Sequence, residues 1–294
     1  MVPAADWLGH VDGGCGITAL AIPGTHDTMT GECDLVYYKT QTLGLAEQLE
    51  IGVRFLDIRL RRTMIAAHRE WVSTSSCADI LGIARDFLAA HPGEFILMRV
   101  QNANEAKDDY DAYAAALKEQ IREHVAMFHV WAPGTGPADN PAWPCLDEVR
   151  GKIVAIECTP PQLCVSSIDG ARWAANWHAN PLIRLQDDWD GPTFEAKQAA
   201  IETLMTEGES GPDVLRLNHI SATNGDPGNP AAYAGRLNAF TDALLGDLAR
   251  RNRESSATVA AGRATSLAFG RGVPIFDFVD QELAAATIAV NNLD

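Results

Sequence analysis

Reactive side chains recur where short apolar runs of the sequence end. Asp57 and Arg59 lie inside the run VRFLDIRL, and Asp277 lies inside VPIFDFV. Charged residues within apolar strands must be paired or serve a function, because an isolated buried charge is costly. Other polar residues at the ends of such runs are His26, Asp27, His68, Arg99, Gln101, Glu157, Asp187, Asp188, His219 and Ser221.

Two histidines, an arginine and carboxylates form a set suited to cleaving a phosphodiester with a hydroxyl of the substrate itself. One histidine removes a proton from the attacking hydroxyl, the other protonates the leaving oxygen, and the arginine neutralises the phosphoryl oxygens. Because histidine titrates near neutrality, the two rings can hold opposite protonation states. The candidates are His26 and His68 as the acid–base pair, Arg59 as the cation, and Asp27 and Asp277 as carboxylates that fix the ring tautomers.

The order of the elements that must position these residues predicts an α/β fold. Short apolar runs alternate with segments of helical spacing, which is the pattern of parallel strands joined by helices. The eight runs are 20–23, 53–59, 64–68, 95–100, 152–157, 182–186, 214–218 and 273–278, and the expected helices are 43–50, 78–90, Tyr110–His124, Phe194–Thr206 and 233–251. We expect a single TIM-type (β/α) barrel, irregular or incompletely closed, because the second and third strands are joined too tightly for a helix. Catalytic residues of such a barrel gather at the C-terminal ends of its strands.

Length and composition favour one domain over residues 1–294. The 47% hydrophobic content can form one large core, and no stretch of Ser, Gly or Pro is long enough to be a linker. No apolar run approaches the roughly 20 residues that cross a bilayer, so no transmembrane segment is expected. The first residues, MVPAADWLGH, carry no signal peptide, but a secreted protein in its mature form would look the same. We expect secretion, with a cytoplasmic location left open.

The acidic charge balance excludes several partners. A net charge of −16 and a pI near 4.8, without a basic cluster, argue against binding to nucleic acid. The negative charge also disfavours binding of a basic patch to anionic lipid, so membrane contact should use apolar and aromatic side chains. The six cysteines include no Cys-x-x-Cys pair and therefore lack the spacing of zinc ligands. Buried thiols and disulfides are both compatible with the sequence.

The motif IPGTHDTM, followed by QTLGLAEQLEIGVRFLDIRL, resembles the catalytic domain of bacterial phosphatidylinositol-specific phospholipases C. The resemblance continues in family order through HPGEFILMRV, RGKIVAIE, LQDDWDGP, LRLNHISATNG and VPIFDFVDQE, so it covers nearly the whole chain. It implies cleavage of phosphatidylinositol to diacylglycerol and a cyclic inositol phosphate.

The resemblance also implies a role for each candidate residue. His26 is the base that acts on the inositol 2-hydroxyl, with Asp277 behind it, and His68 is the acid that serves the diacylglycerol oxygen, assisted by Asp27. In animal relatives an acidic residue binds calcium where the bacterial type has arginine. A guanidinium at Arg59 takes the electrostatic place of that cation, so no metal and no other cofactor is expected.

The same resemblance implies a wall that binds the inositol ring. Asp187 and Trp189, the latter where the family usually has tyrosine, resemble the residues that hold the ring by hydrogen bonds and stacking. Asp57, Gln101 and, on a looser alignment, Arg172 complete the predicted substrate-binding set. Three departures make the site less typical of the family: Gln101 replaces a common lysine, Glu157 and Cys158 replace an arginine of some members, and Arg69 stands where glycine usually follows the histidine.

The expected partner is phosphatidylinositol in membranes or micelles, approached by interfacial contact, and a monomer is expected. Trp71, just beyond His68, fits either an interfacial loop or the core. Two alternatives are a metal-dependent barrel phosphodiesterase of the glycerophosphodiesterase or sphingomyelinase type, and a catalytically silent inositol-lipid-binding module. Arg59 argues against the first and the intact histidine pair against the second, although Gln101 favours the second. A glycosylated inositol lipid is a further candidate substrate.

Overall fold

The computed structural model describes residues 2–103, 109–131, 142–178, 180–206, 213–224, 228–259 and 269–293. The strands are β1 Gly24–Thr25, β2 Phe55–Leu60, β3 Ile65–His68, β4 Trp71–Ser76, β5 Ile96–Asn102, β6 Ile153–Glu157, β7 Ser167–Ile168, β8 Ala171–Arg172, β9 Ala174–Asn176, β10 Ile183–Gln186, β11 Leu215–His219 and β12 Val273–Phe276. The α-helices are α1 Leu45–Glu50, α2 Cys77–Ala90, α3 Tyr110–His124, α4 Leu146–Val149, α5 Phe194–Thr206, α6 Pro230–Val259 and α7 Gln281–Ala289.

Eight parallel strands form a curled sheet in the order β10-β11-β12-β1-β2-β5-β6-β9. Within the described residues no hydrogen-bonded pairing joins β9 to β10, so the barrel has an open seam there. The predicted incompletely closed TIM-type barrel is therefore confirmed. Within the same residues, no helix is long and apolar enough to cross a bilayer.

One predicted barrel strand is wrong, and one strand of the barrel was not predicted. The third run forms β3, which pairs antiparallel with β2 and with β4 and so builds a hairpin beside the barrel. The physical reason is the short connection after β2, which leaves no room for the crossover that a parallel strand needs. The missing parallel strand is β9, whose sequence Ala-Ala-Asn is too short and too poor in β-branched residues to be recognised.

The helices follow their predicted positions closely. Helix α2 begins at a capping box in which the Ser76 hydroxyl accepts from the Asp79 amide and Asp79 accepts from the Ser76 amide. Its buried face includes Ile80, Ala84 and Phe87, at the spacing expected of an amphipathic helix. Helices α3 and α5 match their predicted bounds, whereas α1 is shorter than expected and α6 is longer.

The alternation of strand side chains separates two layers of core. Residues such as Leu56, Ile58 and Met98 pack outward against the helices, while Phe55, Leu97 and others fill the barrel interior. Asp57 and Arg59 share the inward face with Phe55, since inward positions recur every second residue. The interior is thus apolar near the N-terminal ends of the strands and polar near their C-terminal ends.

Candidate active site

A cavity of about 580 Å³ opens at the C-terminal end of the barrel. Its size is that of a small-molecule site. Its lining residues include seven of the predicted site residues, together with other polar residues and aromatic side chains of the rim: His26, Tyr37, Tyr38, Arg59, His68, Arg69, Arg99, Gln101, Trp177, His178, Asp187, Trp189, Ser221 and Asp277.

His26 is held by backbone and side-chain contacts that converge from β1, β2 and β12. Its amide donates to the Phe276 carbonyl at 2.9 Å, and the Gln41 side chain donates to the His26 carbonyl at 2.9 Å. Its Nδ1 lies 2.7 Å from Asp277 Oδ1, and Arg59 Nη2 lies 2.9 Å from its Nε2. Because a guanidinium only donates, the neutral form of the ring accepts at Nε2 and carries its proton on Nδ1, whereas the imidazolium donates from Nε2 to Asp27 Oδ2 at 3.1 Å. The ring is thereby set as a base that faces the cavity.

His68 closes the hairpin of β3 and β4, opposite Trp71. Its Nδ1 donates to the Tyr38 carbonyl at 2.8 Å, and its Nε2 lies 3.3 Å from Asp27 Oδ2. The following residue, Arg69, has φ 52°, a left-handed conformation that explains why glycine is favoured at this turn. His68 can therefore donate from both nitrogens when protonated, as a general acid requires.

Asp27 joins the two histidines. Its Oδ2 lies 3.1 Å from His26 Nε2 as well as 3.3 Å from His68 Nε2, and the two rings have centroids 6.3 Å apart. The residue adopts φ 43°, which aspartate tolerates better than most side chains, and its amide donates to Asp57 Oδ2 at 3.1 Å. One buried carboxylate thus contacts both members of the acid–base pair.

Their surroundings move the pKa values of the two histidines in opposite directions. Burial by itself would lower the pKa of His26, but Asp27 and Asp277 outweigh it, and the pKa lies above its ordinary value. For His68, burial prevails over the attraction of Asp27, and the pKa lies below its ordinary value. In the unliganded protein the proton shared by the pair therefore resides mainly on His26.

Arg59 occupies the centre of the carboxylate cluster. Its Nε lies 2.7 Å from Asp27 Oδ1, and its Nη2 lies 3.0 Å from Asp57 Oδ2 and 2.9 Å from His26 Nε2. Among the described residues, these three partners form the one group whose ligand atoms lie close enough together to hold a metal ion. Each of them already contacts the guanidinium, so the positive charge of this position is supplied by the chain itself.

The predicted substrate-binding residues divide into two groups. Gln101, Asp187 and Trp189 line the cavity, and Trp189 is 39% exposed at its rim. Asp57 lies behind the wall, fully buried, where it accepts hydrogen bonds from both Arg59 and Arg99. Arg172 does not line the cavity, because it ends β8 just before the N-terminal end of β9, on the opposite side of the barrel from the site.

Several residues of the cavity region were absent from the predicted site. Arg99 and His219 follow the inward alternation of β5 and β11, and Ser221 follows β11, so their position at strand ends was the available signal. The Tyr37 and Tyr38 side of the cavity carried no such signal, because those residues belong to a loop. Only the folded chain brings that loop over His68.

The fold is an open eight-stranded (β/α) barrel, and two histidines lie together at its C-terminal end. These features define a class of enzyme that works by acid–base catalysis. Comparison with known proteins agrees with this class. The chain is 30% identical over 246 residues to a 1-phosphatidylinositol phosphodiesterase of Listeria monocytogenes, covering 81% of this chain and 74% of that protein. It is 27% identical over 259 residues to the Staphylococcus aureus protein of the same name, covering 78% of each.

Solved structures give the same result. The phosphatidylinositol-specific phospholipase C of Listeria monocytogenes superposes with a TM-score of 0.84 at 26% identity, over 99% of both chains. The sequence matches no protein-family model. The chain belongs to the family of bacterial phosphatidylinositol-specific phospholipases C.

Proposed function

We propose that this chain cleaves phosphatidylinositol to diacylglycerol and inositol 1,2-cyclic phosphate without a metal ion. The observation that carries the proposal is the pair of histidines on one cavity, bridged by Asp27 and flanked by Arg59. The relatives named 1-phosphatidylinositol phosphodiesterase support the substrate class. A glycosylated inositol lipid is an alternative substrate that the open cavity mouth would also admit.

His26 acts as the base on the inositol 2-hydroxyl. Its Nε2 faces the cavity, and Asp277 at 2.7 Å stabilises the imidazolium that forms when the proton arrives. The raised pKa of His26 makes it the stronger proton acceptor of the pair. The hydroxyl attacks the phosphorus to which it is already tethered, so its effective concentration far exceeds that of water.

His68 acts as the acid for the diacylglycerol oxygen. In the unliganded protein its pKa is lowered by burial, but a bound phosphodiester adds a negative charge beside it and favours the imidazolium. Asp27 and the Tyr38 carbonyl accept from its two nitrogens in that form. After the proton has moved to the leaving oxygen, His68 is ready to activate the water that slowly opens the cyclic product.

Arg59 neutralises the phosphoryl oxygens in place of a metal ion. Its guanidinium has a fixed fork of donors, and its contacts with Asp27 and Asp57 hold that fork toward the cavity. On the far wall, Asp187 and Gln101 are placed to accept and donate hydrogen bonds to ring hydroxyls, and Trp189 covers one face of the ring.

The first test is the order of products. Phosphorus NMR at low conversion should show the cyclic phosphate before any acyclic monophosphate, with and without excess chelator. An acyclic product alone, at the earliest time points, would mean direct attack by water. Loss of activity in chelator that calcium restores would overturn the metal-free mechanism.

The second test separates the two histidines. His26→Ala and His68→Ala should both be nearly inactive on the natural lipid, whereas a substrate with a better leaving group should partly rescue only His68→Ala. His91→Ala is the matched control, because His91 pairs with Asp6 at the opposite end of the barrel. Equal rescue of both variants would contradict the assignment of acid and base.

Contact with a lipid surface belongs to the same proposal. Three consecutive residues beside the cavity, Leu35, Val36 and Tyr37, are apolar and 44%, 58% and 51% exposed, and the neighbouring Tyr38 holds His68 through its carbonyl. We infer that this loop meets the membrane. Trp71 is half-buried beside His68, and its interfacial role stays a prediction, as do the monomeric state, secretion and the single domain.

Vesicle binding tests the surface. The double change Leu35→Ser and Val36→Ser should weaken partitioning onto neutral vesicles about tenfold or more, since burial of each apolar side chain contributes about 1.5 to 3 kcal/mol at most. Val130→Ser is the control, because Val130 is 43% exposed and does not line the cavity. Equal partitioning of the double variant and the unaltered protein would exclude this loop from the interface.

A further inference from the structure

A third histidine lies beneath the cavity and has no place in the acid–base mechanism. His219, at the end of β11, is fully buried, and its ring stands edge-on to that of His26 with centroids 5.4 Å apart. It contacts Arg99 on one side and Ser221 on the other. His219 therefore connects the buried ion pair of Asp57 in β2 and Arg99 in β5 to Ser221 at the wall of the cavity.

Arg99 decides which nitrogen of His219 carries the proton. The guanidinium is fixed by its Nε, which donates to Asp57 Oδ1 at 2.9 Å, and by stacking over the Trp177 ring at 4.9 Å. Its Nη1 lies 3.5 Å from His219 Nε2. Arginine has donors only, so Nε2 must be the unprotonated nitrogen and Nδ1 must carry the hydrogen.

The ring stays neutral throughout the pH range in which the pair His26 and His68 works. Burial lowers the pKa of His219 to about 3, and the attraction of Asp187 does not reverse this effect. His219 therefore does not compete for protons with the acid–base pair. Its remaining capability is that of a fixed hydrogen-bond donor at Nδ1.

One cavity group lies within hydrogen-bond reach of that donor, and a second lies just beyond it. The Ser221 hydroxyl oxygen is 3.2 Å from His219 Nδ1, and Asp187 Oδ1 is 3.8 Å away. When the serine oxygen accepts the Nδ1 hydrogen, its own hydrogen must point elsewhere, and Ser221 lines the cavity. Ser221 is only 2% exposed, so its hydroxyl is a buried polar group at the wall of the space that a head group would fill.

We propose that His219 is a positioning residue that orients Ser221 as a donor to the bound inositol head group. The proposal rests on the proposed function, because it assigns Ser221 to the substrate of that same cavity. The line of hydrogen bonds runs from Asp57 through Arg99 and His219 to Ser221, and each member fixes the direction of the next. The consequence is a specificity contact for a polyhydroxylated ring, made by a serine that the acid–base chemistry does not need.

The tautomer of His219 is measurable in the unaltered protein without any substrate. Long-range nitrogen–proton NMR correlations of histidine-labelled protein should show one neutral histidine, protonated on Nδ1, whose signals do not titrate between pH 5 and 8. The assignment comes from the loss of that signal in His219→Asn. A ring protonated on Nε2, or one that titrates in this range, would overturn the proposal whatever the enzymatic activity.

Kinetics on phosphatidylinositol test the contact with substrate. Ser221→Ala should raise KM about tenfold and leave kcat largely unchanged, because one hydrogen bond to a head group corresponds to about 1.4 kcal/mol. His219→Gln, whose amide lies near the Nε2 position, should raise KM by the same factor, whereas His219→Asn keeps a donor near the Nδ1 position and should restore most of the affinity. A fall in kcat with unchanged KM in Ser221→Ala would overturn the proposal.

The double variant completes the test. If His219 acts through Ser221, then Ser221→Ala combined with His219→Gln should be no worse in KM than either single variant. Additive increases would mean that the two residues act independently, and the proposal would fail. If the His219 variants do not fold, the tautomer and the Ser221→Ala kinetics still decide the matter. A protein inactive on phosphatidylinositol with the predicted tautomer would instead refute the proposed function alone.

Discussion

Two arginines at opposite ends of β2 are both held by buried carboxylates, yet they differ in what surrounds them. Arg54, just before the strand, is fully buried; its Nε donates to Glu94 at 2.8 Å, and its remaining nitrogens donate to the carbonyls of Leu49, Val53 and Ala5. Arg59, near the other end, is 18% exposed at its side chain and lines the cavity. Each nitrogen of the first arginine donates to a group within the protein, whereas the second lines the cavity and can donate to a ligand.

The balance of charge also differs between the two ends. Burial raises the pKa of Glu94 above its ordinary value and lowers that of Arg54, because one ion pair does not offset the loss of hydration on both partners. Asp57, with Arg59 and Arg99 both beside it, has a pKa well below its ordinary value despite complete burial. The ion pair at the N-terminal end of β2 therefore links segments of the chain. At the C-terminal end of β2, Arg59 lines the cavity, where it can act in a reaction.

The largest expected effect is at Arg59. Arg59→Lys should lower kcat/KM roughly 10³-fold, because an ammonium cannot contact Asp27, Asp57 and two phosphoryl oxygens at once. The free energy of unfolding should change far less than it does for a change at the Arg54 pair. Steady-state kinetics and urea unfolding measure the two quantities, and near-normal turnover would remove Arg59 from the mechanism.

The opposite pattern is expected at Glu94. Glu94→Gln leaves Arg54 buried without its counter-ion and should lower the free energy of unfolding by about 3 kcal/mol. Turnover of the folded variant should stay within about twofold of the unaltered protein, because Glu94 lies outside the cavity. A large loss of kcat in fully folded protein would show that the two ends of β2 are coupled.

Asp277→Asn should change the pH dependence at the catalytic end. Activity falls on the alkaline side when the histidine pair loses its last proton, at the higher apparent pKa, which belongs mainly to His26. Removing a carboxylate that raises this pKa should move the alkaline limb of kcat/KM to lower pH and reduce the maximum roughly 10²-fold.

Asp6→Asn is the matched control for that shift. Asp6 contacts the Nδ1 of His91 at 2.7 Å, so it is also an aspartate paired with a histidine, but at the N-terminal end. Its pH–rate profile should coincide with that of the unaltered protein. A shift of the same size in both variants would point to general electrostatics and away from His26.

The smallest expected effect is at Gly52, close to Arg54. This glycine has φ 106°, and an added Cβ would lie 2.6 Å from Ile288 Cδ1. Gly52→Ala should lower the free energy of unfolding by about 1 to 2 kcal/mol through backbone strain and this clash, with no change in kcat/KM. A kinetic effect without a loss of stability would contradict the division between the two ends.

The sequence singled out Arg59 as a charge inside an apolar run, whereas Arg54 was not recognised as a buried charge. Both arginines lie in the apolar run 53–59, but Arg59 follows Asp57 by two residues, whereas Arg54 has no acidic residue beside it in the run. The partner of Arg54, Glu94, lies just before β5, and the pairing of β2 with β5 brings the two residues into contact. Such pairing depends on register and cannot be derived from one strand alone.

What the sequence determined by itself was the set of inward positions and the helices between the strands. Period-two alternation placed Asp57 and Arg59 on one face, and helical spacing fixed α2, α3 and α5, since both patterns are local properties of the backbone. Tertiary structure alone decided the antiparallel turn of β3, the place of β9 at the open seam and the exclusion of Arg172 from the cavity. It also decided the contact of Arg99 with His219, because that contact joins strands far apart in the chain through the curvature of the whole sheet.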